Sequence, residues 1–270
     1  MPETTLRTHL YVPGDRPARF GTAKASGADA LILDLEDAVL ADNKPAALDA
    51  VVEWLAAQPS EGPQLWVRVN RGATGELERL AGCPTLTGLC LPKVESAEEV
   101  EAAHLLAPHL RLAPIVESAC GLAHLAEIAA APALAWLHLG ELDLAADLGV
   151  TMRTGFELAA YRAMVVLASR VAGLPAPPGP VSTELNAMDV FAASTKALSD
   201  HGFRGRACIH PRQVGVVHEM YAPTPIEAAW ARDVVDGAMR QGAVFRDSHG
   251  QMVDEAVLRR ARRIVADSDR

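Results

Sequence analysis

The chain has 270 residues, half of them hydrophobic, a length that fits either one (β/α) barrel or two smaller domains. Its formal net charge of −9 and its scattered Lys and Arg residues exclude the basic surface that nucleic acid binding requires. The N-terminal residues contain no apolar signal segment, and charge or Pro interrupts every apolar run before membrane-spanning length, so we expect a cytoplasmic protein that does not bind membranes.

Short apolar runs typical of β-strands alternate along the chain with longer segments typical of helices. In chain order the strand-like runs lie at 10–12, 30–35, 65–70, 88–94, 111–118, 134–143, 179–185 and 205–211. Eight such β/α units predict an α/β protein with a (β/α)8 TIM barrel over residues 1–222. Residues 223–270 are predicted to add C-terminal helices to the same domain. The run at 179–185 is the least regular, because the Pro-rich loop 173–181 leads into it.

Polar side chains stand at the carboxyl ends of these strand-like runs. They are Glu36, Asp37, Arg68, Asn70, Lys93, Glu117, Glu141, Asp143 and His210. In a (β/α)8 barrel the carboxyl ends of all strands meet at one face, so these residues are predicted to converge there.

Two carboxylates, Glu117 and Asp143, end consecutive strand-like runs. Hard oxygen ligands on neighbouring strands suit Mg²⁺, which takes few protein ligands and keeps other positions for water and substrate. Both acids also precede or begin a helix, where a negative charge is favourable without any metal. The spacing alone leaves the two interpretations open.

Arg68 lies in an apolar strand, so its guanidinium requires a partner, and its planar fork suits a carboxylate. That carboxylate is either part of a substrate or a structural acid such as Asp34 or Glu36, and both hypotheses remain open. Glu36 and Asp37 offer a base, an anchor for metal-bound water or partners for Arg68. Carboxylates this close require cations among them.

Other polar residues give weaker signals. Lys93 fits a solvated charge at a strand end, and His210, before Pro211, fits a loop histidine better than a catalytic one. Four cysteines without a CxxC pair indicate core residues rather than disulfides or a zinc site: Cys83, Cys90, Cys120 and Cys208. The sequence contains no GxSxG, P-loop, HExxH or GxGxxG motif.

Seven sequence blocks occur in a family's order: LYVPGDRPARF, SGADALILDLEDAV, VRVN, LPKVES, PIVESACG, LGELDLAADLG and CIHPRQ. Together they resemble the citrate lyase beta-subunit family, which belongs with malyl-CoA and citramalyl-CoA lyases among the Mg²⁺-dependent barrel aldolases of the HpcH/HpaI type. The resemblance extends from about Arg7 to Gln213.

The resemblance implies a Mg²⁺-dependent carbon–carbon lyase. Such an enzyme cleaves a 3-hydroxyacyl thioester, such as citryl-, citramalyl- or malyl-CoA or its acyl-carrier-protein equivalent, into an acyl thioester and a 2-oxo acid. It further implies that Glu117 and Asp143 bind the metal and that Arg68 binds the substrate carboxylate, with Glu117 also at the substrate. Glu36 and Asp37 would hold metal-bound water and the reacting groups. A homotrimer is also implied.

The chain departs from the family pattern at two places that bear on the thioester carrier. Thr22 stands where members commonly have Lys, and residues 179–189 replace an Asp-rich segment. Because the chain is shorter than malyl-CoA lyases, which carry a C-terminal domain, the resemblance favours a stand-alone beta-subunit-like lyase. Two alternatives stay open: an aldolase acting on free pyruvate or oxaloacetate, and a carrier-protein-binding subunit with little activity alone.

Overall fold

The computed structural model describes residues 6–241 and 244–268. The chain divides into two compact units, with the boundary between Met220 and Tyr221. That the C-terminal unit belongs to the same domain as the barrel stays a prediction. Within the described residues, no helix has both the length and the apolar character needed to cross a membrane.

The first unit is built on a curled sheet in which the described residues form seven parallel strands, in the order β6-β5-β4-β3-β2-β1-β7. Seven of the eight strand-like runs thus form strands. Their bounds are β1 Thr8–Pro13, β2 Ala30–Asp34, β3 Gln64–Arg68, β4 Gly88–Leu91, β5 Arg111–Val116, β6 His138–Leu139 and β7 Arg206–Cys208.

The predicted strand at 179–185 contributes only a single bridge, between Gly179 and Arg206. Prolines on both sides of Gly179 cannot donate to a strand ladder. Side chains bind this segment instead: Arg206 Nε donates to the carbonyl of Pro180 at 3.2 Å, and Gln213 Nε2 donates to that of Ser182 at 3.2 Å. In the described residues the sheet therefore does not close into an eight-stranded barrel, and that part of the fold prediction is not confirmed.

Helices follow the strands, as the alternating pattern predicts. In chain order, as far as the boundary between the two units, they are α1 Phe20–Lys24, α2 Lys44–Ala56, α3 Thr74–Ala81, α4 Ala97–Leu106, α5 Ala119–Ala123, α6 Leu125–Ala129, α7 Glu141–Asp147, α8 Ala159–Val171, α9 Met188–Asp200 and α10 Pro211–Tyr221. The second unit contains α11 Pro225–Gln241, an antiparallel pair of two-residue strands, β8 Phe245–Arg246 and β9 Met252–Val253, and α12 Glu255–Ser268.

The strands are buried because helices cover a parallel sheet, which is why they appear in the sequence as continuous apolar runs. Every residue of β2 is buried. Trp66 and Trp136 pack with ring centroids 4.3 Å apart in a core cluster. A Cβ at Gly88 would lie 2.4 Å from the Trp66 ring, so only glycine fits beside it. The two tryptophans thus fill the sheet interior below the carboxyl ends of the strands.

The cysteine prediction holds for three of the four thiols. Cys83, Cys90 and Cys208 are buried and free, whereas Cys120 is free but exposed. Cys120 lies in the first turn of α5, whose buried face carries Gly121 and Leu122. The expectation of a core residue is therefore wrong for Cys120.

Candidate active site

A cavity of about 360 Å³ opens at the carboxyl ends of the strands. Four of the five predicted site residues line it: Asp37, Arg68, Glu117 and Asp143. The fifth, Glu36, is buried beside Arg68, with Oε2 3.0 Å from Nη1. The rule that the ends of parallel strands share one face thus brings together residues that the chain separates by more than one hundred positions.

Arg68 ends β3 and binds Asp34, the last residue of the neighbouring strand β2. Nε donates to Oδ1 at 2.7 Å and Nη2 to Oδ2 at 2.6 Å, with side-chain exposures of only 15% and 3%. Burial opposes the charge, but the hydrogen bonds to Asp34 raise the pKa of Arg68 above its ordinary value. Asp34 is therefore a structural partner. Because a guanidinium has five N–H groups, donors remain beyond the two bonds to Asp34 and the contact of Nη1 with Glu36.

Glu36 and Asp37 share two cations. Arg68 Nη1 lies 4.0 Å from Asp37 Oδ2, and Lys93 Nζ lies 3.2 Å from Asp37 Oδ1 and ion-pairs with Glu36. Burial raises the pKa of Glu36. Burial opposes ionisation of Asp37 too, but hydrogen bonds involving Glu36 and Lys93 lower its pKa overall. Lys93 is thus ion-paired with both acids and is not only a solvated strand-end charge.

Glu117 is buried directly after β5, and its Oε1 accepts the main-chain N–H of Lys93 at 2.7 Å. Burial raises the pKa of Glu117 to about 8; the Lys93 N–H opposes that shift, while the carboxylates of Asp143 and Glu36 add to it. Ser118, not Glu117, caps α5, because its hydroxyl accepts the N–H of Gly121. Helix capping therefore does not explain Glu117. Asp143 is exposed in the first turn of α7.

Burial disfavours the ionised form of Glu117, and a divalent cation in the cavity would favour it. Within the part of the chain that the structure describes, no group of three or more His, Cys, Asp or Glu side chains forms a metal site. Two oxygen-ligand carboxylates are a set that Mg²⁺ accepts, because it retains several waters. Glu117 and Asp143 therefore fit this ion.

Two other strand-end residues serve the structure. Glu141 ion-pairs with Arg162 of α8, whose Nη2 donates to Oε2 at 2.7 Å, and this pair ties α7 to α8. The ring nitrogen Nδ1 of His210 accepts the main-chain N–H of Arg212 at 3.1 Å, at the start of α10. The interpretation of His210 as a loop histidine agrees with this contact.

Two cavity residues, Tyr11 and His138, were not predicted from the sequence. The Tyr11 hydroxyl lies 3.4 Å from His138 Nδ1, and the Arg68 guanidinium carbon lies 5.3 Å from the Tyr11 ring centre. Burial, aided by His9 and Arg68, lowers the pKa of His138 to about 3, so the ring is neutral at pH 7. A single histidine within the apolar run LAWLHLG was the available signal.

Comparison with known proteins identifies the family. A family model described as HpcH/HpaI aldolase/citrate lyase matches residues 7–211. The chain belongs to this family. The resemblance inferred from the seven sequence blocks is thereby confirmed, over nearly the same range of the chain.

Individual members of the HpcH/HpaI aldolase/citrate lyase family match over almost the whole chain. A citrate lyase subunit beta-like protein from Deinococcus radiodurans is 34% identical, and the match covers 98% of both chains. An L-malyl-CoA/beta-methylmalyl-CoA lyase from Rhodobacter capsulatus is 31% identical, over 99% of this chain and 96% of that enzyme. The match therefore extends over nearly the whole length of that lyase.

The solved structure of CitE from Mycobacterium tuberculosis in complex with magnesium, acetoacetate and coenzyme A has the same fold. It superimposes with a TM-score of 0.83 at 33% identity, covering 99% of both chains. Another structure of that protein contains magnesium and pyruvate. This one family member thus binds magnesium, the oxo acids acetoacetate and pyruvate, and coenzyme A.

Proposed function

We propose that the protein is a Mg²⁺-dependent carbon–carbon lyase that cleaves a 3-hydroxyacyl-CoA thioester into an acyl-CoA and a 2-oxo acid. The observation that carries the proposal is one cavity that is lined by the buried carboxylate of Glu117 together with Asp143 and Arg68. Two findings support the proposal. One relative is an L-malyl-CoA/beta-methylmalyl-CoA lyase, and the M. tuberculosis protein binds magnesium, an oxo acid and coenzyme A.

Each of the cavity residues has its own proposed role in the cleavage reaction. Arg68 would hold the carboxylate that leaves with the 2-oxo acid, because its guanidinium lines the cavity and is held in place by two hydrogen bonds to Asp34. Asp37 lines the cavity with 53% of its side chain exposed, so its carboxylate is placed where it could accept the hydroxyl proton. Mg²⁺ held by Glu117 and Asp143 would supply Lewis-acid polarisation of substrate oxygens.

The purified chain should be assayed with malyl-, citramalyl- and citryl-CoA, with and without Mg²⁺. We expect cleavage of at least one thioester, and only when Mg²⁺ is present. Cleavage of free oxo-acid aldols without a thioester would instead favour the pyruvate or oxaloacetate aldolase. If activity requires an added acyl-carrier protein, the carrier-protein-binding subunit is the better description.

A substitution at Gly140 tests whether the Glu117 carboxylate is placed to bind Mg²⁺. A Cβ at this position would lie 2.2 Å from Glu117 Oε2 and 2.6 Å from its Cβ, so Gly140→Ala must displace the Glu117 side chain. We expect the Mg²⁺ dissociation constant, measured by calorimetry, to rise roughly tenfold or more, since even ligand-supporting groups are worth about that much. Gly215→Ala is the control, because its added Cβ meets nothing within 4 Å. Equal Mg²⁺ affinity in both variants would contradict the proposed ligand geometry.

We further propose that the chain forms a homotrimer. Three large apolar side chains in and before α8 are exposed and would be covered if this surface packs against another copy of the chain: Phe156, Leu167 and Val171. Light scattering at micromolar concentration should give three times the chain mass, and Leu167→Glu should lower that mass. A wild-type monomer would reject the proposal.

Two finer features complete the proposed description. The 179–185 segment, which bridges to β7 through Gly179, would supply the eighth position of a (β/α)8 barrel. A cytoplasmic location suits the four free thiols, because a reducing compartment keeps them so.

A further inference from the structure

Lys93 has a backbone conformation that lysine rarely adopts. Its φ is 54°, in the left-handed region where a side chain crowds the main chain and where glycine is preferred. Among the described residues other than glycine, Ala133, with φ 60°, shares this feature. Strained residues of this kind persist where surrounding contacts hold them, and they cluster at functional sites.

Lys93 contacts both the acid pair Glu36 and Asp37 and the proposed metal ligand Glu117. Its main-chain N–H donates to Glu117 Oε1 at 2.7 Å, while its ammonium ion-pairs with Glu36 and lies 3.2 Å from Asp37 Oδ1. Glycine would adopt this backbone without strain and would keep the N–H bond to Glu117. The backbone therefore does not explain a lysine here, and the ammonium is the feature that offsets the strain.

The Lys93 ammonium balances part of the negative charge of three neighbouring carboxylates. Asp34, Glu36 and Asp37 follow one another closely, and Arg68 contacts all three. Without Lys93, the guanidinium would face three carboxylates alone, with Glu36 buried. Because Asp34 holds Arg68 through two hydrogen bonds, it is Glu36 and Asp37 that would then settle into a different arrangement.

We propose that Lys93 is a positioning residue of the lyase reaction, holding Glu36 and Asp37 in fixed relation to Arg68 by its ammonium and to Glu117 by its main-chain N–H. The inference rests on the proposed lyase function. It assigns Lys93 no contact with substrate. It makes Lys93 the residue that joins the acid pair to the carboxylate proposed to bind the metal.

The test compares Lys93→Gly and Lys93→Arg with the wild type. Lys93→Gly keeps the backbone and its N–H but removes the ammonium, so we expect kcat to fall roughly tenfold or more with a much smaller change in KM. Mg²⁺ affinity, measured by calorimetry, should not weaken, because Glu117 keeps its hydrogen bond. Lys93→Arg keeps the charge and should recover part of the lost kcat.

Ala133→Gly is the matched control. It relieves the same backbone strain before β6, at the amino end of the sheet, so the melting temperature should rise while kcat stays unchanged.

Three results would overturn the inference. One is a Lys93→Gly variant with a lower melting temperature and normal kcat, as expected of a purely structural lysine. Another is a variant whose only defect is weaker Mg²⁺ binding. The third is a wild type that cleaves none of the three CoA thioesters, which would remove the proposed function as well. When the wild type is active, a normal kcat in Lys93→Gly rejects the positioning role alone.

Discussion

Arg68→Lys is expected to lower kcat/KM by roughly ten- to hundredfold and to lower the melting temperature as well. Lysine keeps the charge but lacks the planar fork that binds Asp34 through Nε and Nη2. Losing one charge-assisted hydrogen bond costs about 1.5–3 kcal/mol, which corresponds to that fall in kcat/KM if the bond is made to substrate. The buried Asp34 also loses its two-bond partner, which destabilises the fold.

Measuring both quantities on one preparation separates the two roles of Arg68. Arg71→Lys is the control, because Arg71 is an exposed arginine paired with Glu95 and Glu99, and such surface pairs contribute little. We expect Arg71→Lys to change neither kcat/KM nor the melting temperature appreciably. If Arg68→Lys melts early but turns over normally, Arg68 only neutralises Asp34 and Glu36, and its proposed contact with the substrate carboxylate is wrong.

The sequence could predict that these polar residues meet at one face of the sheet, because that depends only on the direction of the strands. Parallel strands place all their carboxyl ends at one face, so a polar residue at the end of an apolar run has a predictable location. Arg68, Glu117 and Asp143 lie around one cavity for this reason. Their roles in binding and catalysis remain predictions, because strand direction does not say which ligand they meet.

The features that the sequence did not reveal depend on partners from distant elements. The 179–185 segment resembles a strand, but its carbonyls are bound by the side chains of Arg206 and Gln213. Likewise, Lys93 looked like a solvated charge because its partners Glu36 and Asp37 are more than fifty positions away. A pattern of hydrophobicity carries no information about such pairings, which form only once the strands are in register.

Replacing both proposed metal ligands, by Glu117→Gln with Asp143→Asn, is expected to abolish Mg²⁺ binding measured by calorimetry. Each amide keeps the shape of the side chain but removes the charge that a hard cation requires. Glu141→Gln is the control from the same LGELD segment. Glu141 pairs with Arg162, so its variant should melt earlier and still bind Mg²⁺. A double variant with wild-type Mg²⁺ affinity would rule out this ligand pair.

The pKa of Glu117 adds a second, independent readout to this prediction. Burial raises that pKa from 4.5 to about 8, so the metal-free fold favours the protonated carboxyl. The protonated Glu117 carboxyl contributes fully to the free energy of unfolding below about pH 4.5, and this contribution is lost as the pH rises towards 8. The melting temperature of metal-free protein should therefore decline across this range, and Mg²⁺ should restore it while releasing a proton at pH 7. Because glutamine does not titrate, Glu117→Gln alone should flatten the decline, and an unchanged pH profile in that variant would show that Glu117 is not the group responsible.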